Sequence, residues 1–167
     1  MREFGNREPG SILDKTRDII IEEFAKSEDD VNDGMDISLC SFNTKTLELK
    51  WSGANNPLWI IRHNSDEVTE IKANKQPIGR YSSYESFQTH DFQLQPGDQI
   101  YLFTDGFSDQ FGGENSKKFK ARNMKDLLLR IRKHPMEEQK RLLLDEFENW
   151  KGNLEQVDDV CVLGIRV

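Results

Sequence analysis

The sequence predicts an α+β fold in which two antiparallel β-sheets pack together with helices on the outside. Three observations lead there. The elements run in the order helix, five or six strands, two helices, strand. The early strands are joined by connections of hairpin length, which imply antiparallel pairing. Several strands are apolar on both faces and need cover on both sides, which a pair of sheets flanked by helices supplies.

The first element is an amphipathic helix, with Ile12, Leu13, Thr16, Ile19, Ile20 and Phe24 on one face and Asp14, Lys15, Asp18, Glu22 and Glu23 mostly opposite. Ser11 and Asp14 form a capping pair, with Pro9 just upstream. The acidic run from Glu28 to Asp33 reads as a loop. Asp36 to Phe42 is a strand apolar on both faces, and Asn43 to Thr46 supply a turn. Leu47, Leu49 and Trp51 then alternate with Glu48, Lys50 and Ser52, the period of a half-exposed strand. Pro57 to Arg62 makes a third strand, and a turn through His63 to Asp66 leads to a fourth around Val68 and Ile71. Ser86 to Leu94 is a further candidate. Pro96-Gly97-Asp98 turns the chain into Gln99 to Thr104 (QIYLFT), which stops at Asp105-Gly106. Asn123 caps a helix bearing Met124, Leu127, Leu128 and Ile131, which Pro135 ends. A second helix runs from about Met136 to Trp150, with Leu143, Phe147 and Trp150 inward and Gly152 past its end. Asp158 to Val167 closes the chain as a strand apolar on both faces.

At 167 residues, with 35% hydrophobic and 32% charged, the chain has the length and composition of one globular domain. It shows no internal repeat, low-complexity tract or second domain. The net charge of −7 argues against nucleic-acid binding, which depends on Lys and Arg neutralising phosphates. The one basic cluster is Lys117, Lys118, Lys120, Arg122 and Lys125, read either as a solvated loop or as a lure for an anionic substrate. Cys40 and Cys161 lie in apolar runs without zinc-ligand spacing, which predicts free buried thiols in a reducing, cytoplasmic setting. No apolar stretch is long enough to cross a membrane, and the N-terminus lacks the apolar core of a signal peptide.

Two acidic positions carry the chemical interest. In YLFTDG, a buried strand delivers the carboxylate of Asp105 to its end, and hard cations such as Mg²⁺ and Mn²⁺ take oxygen ligands of this kind. The plain reading is an Asp-Gly turn. In QVDDV, adjacent carboxylates at the start of a buried strand repel unless a cation or donors compensate. Strand alternation sends Asp158 and Asp159 to opposite faces, so at most one of them shares a site with Asp105. Solvation of both is the competing reading. His63, His90 and His134 have neither metal spacing nor a catalytic-triad order, and Gly112-Gly113 lacks the pattern of a phosphate-cradling loop.

Five segments in order, DGMDIS from Asp33, SGANNPL from Ser52, QPIG from Gln76, PGDQIYLFTDG from Pro96 and QVDDV from Gln156, resemble the PPM family of metal-dependent serine/threonine phosphatases in its bacterial SpoIIE-like branch. The resemblance runs from about Pro9 to the C-terminus and leaves residues 1–8 as an N-terminal tail. It implies an αββα sandwich with a two-metal site, of Mn²⁺ or Mg²⁺, at one edge. Asp105 resembles the family's later metal-binding aspartate, Asp158 its last one, and Asp159 the adjacent slot. In the mechanism it implies, a metal-activated water attacks phosphorus while the carboxylates hold the cations. The implied substrate is a phosphoserine or phosphothreonine protein such as an anti-sigma-factor antagonist, under the control of an upstream sensor region. Segments 53–57 and 77–79 read as structural loops.

One family element has no match. The early Asp-Gly that bridges the metals is not supplied by Asp33-Gly34, which lies after the helix and before a strand. Residues 9–167 are therefore expected to be such a domain truncated at its N-terminus, binding metal loosely and catalytically impaired. An exposed sheet edge would favour self-association. The alternative expectation is a non-catalytic phosphatase-like module that binds a regulatory protein partner.

Overall fold

A proline opens the first helix. α1 (Pro9–Phe24) places Pro9 at its first position, where the missing N–H costs nothing, and no side chain caps it. The expected Ser11–Asp14 capping pair is thus not used. The computed structural model describes residues 8–26 and 34–167, so the acidic run Glu28 to Asp33 falls outside the described residues. After α1 come β1 (Gly34–Met35), β2 (Ile37–Phe42), β3 (Glu48–Ala54), β4 (Leu58–Ile61), β5 (Val68–Ile71), β6 (Ile78–Gly79) and β7 (His90–Gln93). Then follow β8 (Gln99–Phe103), α2 (Gly106–Asp109), β9 (Phe111–Gly112), β10 (Lys117–Lys118), α3 (Ala121–Ile131), α4 (Met136–Lys151) and β11 (Val162–Arg166). These give several antiparallel sheets flanked by helices, as expected. By contact the chain divides into two compact units, Met1–Leu58 with Glu70–Gln95 and Val167, and Trp59–Thr69 with Pro96–Arg166.

The first unit is built on the antiparallel sheet β2-β3-β7. Trp51 lies at its centre, paired with Cys40 on one side and His90 on the other, and its indole N–H donates to Ser38 Oγ at 2.7 Å. Leu13 of α1 packs with Ala54, Ile78 and Phe87. The helix face differs from expectation in two places. Ile19 is exposed, whereas Arg17 is buried. The Arg17 guanidinium donates to Glu85 O at 2.9 Å, pairs with Asp14 at 2.9 Å and lies over the rings of Tyr84 and Phe87. A long cation whose head is fully partnered can replace an aliphatic residue on a buried face. Three of the sequence motifs meet in this unit as loop supports. β1 pairs with β6, Asn55 Nδ2 donates to Asp36 Oδ1 at 2.7 Å, and the Gln76 amide bridges Glu85 by donating to its carbonyl and accepting from its N–H.

The second unit is built on the sheet β11-β8-β4-β5. Every residue of β8 is buried. Tyr101 and Phe103 join Trp59 and Ile61 in a core with Met124, Leu127, Leu128 and Ile131 of α3 and Leu143 and Phe147 of α4. Burial of such side chains is the main term holding the unit together, at about 1.5 to 3 kcal/mol each. α3 starts three residues earlier than expected, behind Lys120, and Asn123 lies inside it, donating from Nδ2 to Phe119 O at 2.7 Å. β11 begins only at Val162, so Cys161 precedes the strand and is exposed, while Cys40 is half-buried and burial pushes its thiol pKa up. Among the described residues no helix is long and apolar enough to cross a membrane.

Candidate active site

β8 ends at Phe103, and Thr104 ties the two acidic segments together. Its N–H donates to Cys161 O at 3.0 Å. Its hydroxyl donates to Asp159 O at 2.8 Å and accepts from Cys161 N–H at 2.9 Å. Val162 pairs with Phe103, so these bonds continue the ladder beyond the last registered pair. Asp105 follows as the residue flanking α2, with φ −71° and ψ −15°. Its carbonyl accepts from Asp109 N–H at 2.9 Å and Ser108 Oγ at 3.0 Å.

Gly106 has a tertiary reason. A Cβ at this position would lie 2.5 Å from the carbonyl oxygen of Asp159. Only glycine lets α2 sit this close to the Asp158–Asp159 segment. A turn alone would allow other residues here; the close approach of two backbones is what requires glycine.

Asp105, Asp158 and Asp159 therefore leave the same end of the sheet, and all three are exposed. Asp158 Oδ1 accepts from Asp159 N–H at 2.7 Å, and its carbonyl accepts from Gln156 Nε2 at 2.8 Å. Because both aspartates precede β11, the pleat does not force them onto opposite faces, and the alternation argument that separated them does not apply.

Two supporting residues escaped sequence reasoning. Thr104 looked like one more strand residue. Gln110 is fully buried, donating from Nε2 to Glu155 O and Phe111 O, both at 2.9 Å, and accepting at Oε1 from Val157 N–H at 3.2 Å. It fixes the loop that carries Asp158. The only local signal was an amide side chain between Phe107 and Phe111, which is too common to single out. The histidines stay away from this end: His63 and His134 are exposed, and His90 lies against Trp51 and Phe92.

The donors gathered here are carboxylate and carbonyl oxygens, the hard set that suits Mg²⁺ or Mn²⁺. Among the described residues no group of three or more His, Cys, Asp and Glu is placed to hold a metal ion. One or two carboxylates with water completing the shell is nevertheless a usual way to bind Mg²⁺, so the residues present fit such a cation.

Comparison with known proteins gives a consistent result. The family model described as Stage II sporulation protein E (SpoIIE) matches residues 2–167. Among curated proteins nothing matches significantly. Among solved structures, the SiaA-PP2C domain of Pseudomonas aeruginosa is similar over 99% of this chain, with TM-score 0.85 and 28% identity. The chain spans 63% of that domain's length. The phosphatase domain of SpoIIE from Bacillus subtilis has TM-score 0.56 at 19% identity, over 98% of this chain and 75% of its own. RsbX in complex with magnesium has TM-score 0.56 at 11% identity, over 96% of this chain and 76% of its own. At these lower identities the likeness is one of fold.

Proposed function

The chain belongs to the SpoIIE family, and from that premise we propose that it forms part of a metal-dependent phosphatase domain that hydrolyses phosphoserine or phosphothreonine on a protein of a bacterial signalling circuit. What supports this reading most is that the backbone on either side of Asp105 is tied to that of Asp159 at one end of the sheet, through Thr104 and at the close approach Gly106 permits. Asp105 and Asp158 would hold a divalent cation, Mg²⁺ or Mn²⁺, with Asp159 beside them. When bound, such a cation neutralises charge on a phosphoryl group and lowers the pKa of its water.

The chain's own residues position and expose these carboxylates. Thr104 locks the two backbones, Gly106 lets them touch, and Gln110 holds the loop in front of Asp158. A small regulatory protein, such as an anti-sigma-factor antagonist, is the proposed substrate. The second reading is a non-catalytic module that binds a regulatory partner. It fits the finding that among the described residues no group of three or more His, Cys, Asp and Glu is placed to hold a metal ion.

A Mn²⁺ titration of phosphoserine-peptide hydrolysis separates the two. The whole phosphatase domain should hydrolyse the peptide in a Mn²⁺-dependent way, residues 1–167 alone only weakly, and Asp105→Asn and Asp158→Asn should each lower the whole domain's rate by about a hundredfold or more. Equal rates for the variants and the parent would remove the site assignment. Absence of metal-dependent turnover would favour the partner-binding module.

A further inference from the structure

Immediately beyond α2 the chain changes sign. Between Phe111 and Lys125 it carries five cations, Lys117, Lys118, Lys120, Arg122 and Lys125, against the single carboxylate of Glu114, in a protein whose net charge is −7. Two of the five are engaged locally. Lys118 pairs with Asp109 at 2.7 Å, and Lys125 lies over the Trp59 ring at 5.0 Å. Lys117, Lys120 and Arg122 are exposed, and among the described residues no carboxylate comes within ion-pair distance of them.

This segment is anchored to the elements around it. β9 and β10 pair through Lys117↔Gly112 and Lys118↔Phe111. A Cβ on Gly112 would fall 1.9 Å from Trp150 O, so the strand lies directly on the end of α4. Gly113 N–H donates to Trp150 O at 2.9 Å, Phe119 N–H to Gln110 O at 2.9 Å and Lys120 N–H to Ser108 O at 2.7 Å. The last two bonds fix the cations against the segment that begins at Asp105. α2 spans only about 6 Å. An extended peptide rises about 3.3 Å per residue, so positions two to four residues from a side chain held at Asp105 would reach this ledge.

We infer that Lys117, Lys120 and Arg122 form a docking ledge for acidic residues flanking the phosphorylated side chain of a protein substrate, an inference that rests on the phosphatase reading above. The surrounding negative charge disfavours a long polyanion and leaves room for a short acidic segment. Such a surface acts on encounter and on specificity between peptides.

The test measures binding and turnover separately on the full chain. Fluorescein-labelled phosphoserine peptides with Asp and Glu flanks, and their Lys-flanked counterparts, are titrated by anisotropy at low and high salt. The acidic peptide should bind about tenfold more tightly, with the preference shrinking at high salt. The Lys117→Glu, Arg122→Glu pair should reverse the preference, and the milder Lys117→Gln, Arg122→Gln pair should shrink it. Equal affinity of the parent protein for both peptides would overturn the ledge. So would a preference left intact in both variant pairs when their melting curves match the parent's. A preference without hydrolysis of either peptide would overturn the phosphatase reading and leave the docking surface standing.

Discussion

The two ends of β8 use charge in opposite ways. At the Gln99 end the charged groups are taken up by the fold. Asp98, 1% exposed, accepts from Arg62 Nη1 at 2.7 Å and from His63 N–H at 2.8 Å. Arg132 pairs with Asp66, and Arg166 donates to the carbonyls of Arg132 and His134, both at 2.6 Å, where α3 ends. Cations at a helix C-terminus complement its dipole, so this end is built for stability. At the Asp105 end the backbone is tied as tightly, through Thr104 and Gln110, yet the carboxylates of Asp105, Asp158 and Asp159 stay exposed. Burial of the charged group marks the first end, and solvent exposure of the carboxylates marks the second.

Substitutions should show that difference. The largest expected effect is at the stability end. Asp98→Ala removes the acceptor of two hydrogen bonds from a buried position and should cost about 3 kcal/mol in denaturant unfolding. A cost near zero would erase the contrast between the ends.

Next comes a pH effect. The Tyr101 hydroxyl is buried, donates to Gln139 Oε1 at 2.6 Å and lies 2.8 Å from Gln99 Oε1. Burial pushes its pKa from 10.0 up to about 12, with Arg166 pulling slightly the other way. The folded state therefore holds this proton longer than the unfolded chain. Its contribution is fully present below pH 10 and is lost as the pH rises through about 12. Unfolding free energy should fall by roughly 2 to 3 kcal/mol across that window, and Tyr101→Phe should flatten the decline.

The smallest effect is at the other end. Asp158→Asn should leave the urea midpoint of the metal-free protein unchanged. Added Mn²⁺ should stabilise the parent by about 1 kcal/mol at roughly fivefold excess over its Kd, and the variant by less. A loss of stability in Asp158→Asn without metal would mean that this end, too, is spent on the fold.

Much of the architecture was legible because it is written in local pattern. The period of α1, the buried run of β8, the Pro135 break between α3 and α4 and the order of the motifs were all readable. The exit of a buried strand at Thr104-Asp105 also marked the candidate site. What failed had a common cause. Cys161 looked buried and is exposed, Ile19 looked inward and faces solvent, and Arg17 is buried by partners far along the chain. Burial is decided by neighbours, and apolar periodicity reports only a tendency.

The sequence by itself determined the longer helices and strands and the presence of carboxylates where a strand ends, because both follow from residues close in the chain, whereas the short elements β1, β6, α2, β9 and β10 went unread. The tertiary structure alone decided that the chain around Asp105 runs against the backbone of Asp159. That depends on the bond from Thr104 to Asp159, 55 positions away, and on a missing Cβ at Gly106. Contacts at such separation cost loop-closure entropy and form only once the sheet has brought the strands together, so no local pattern encodes them.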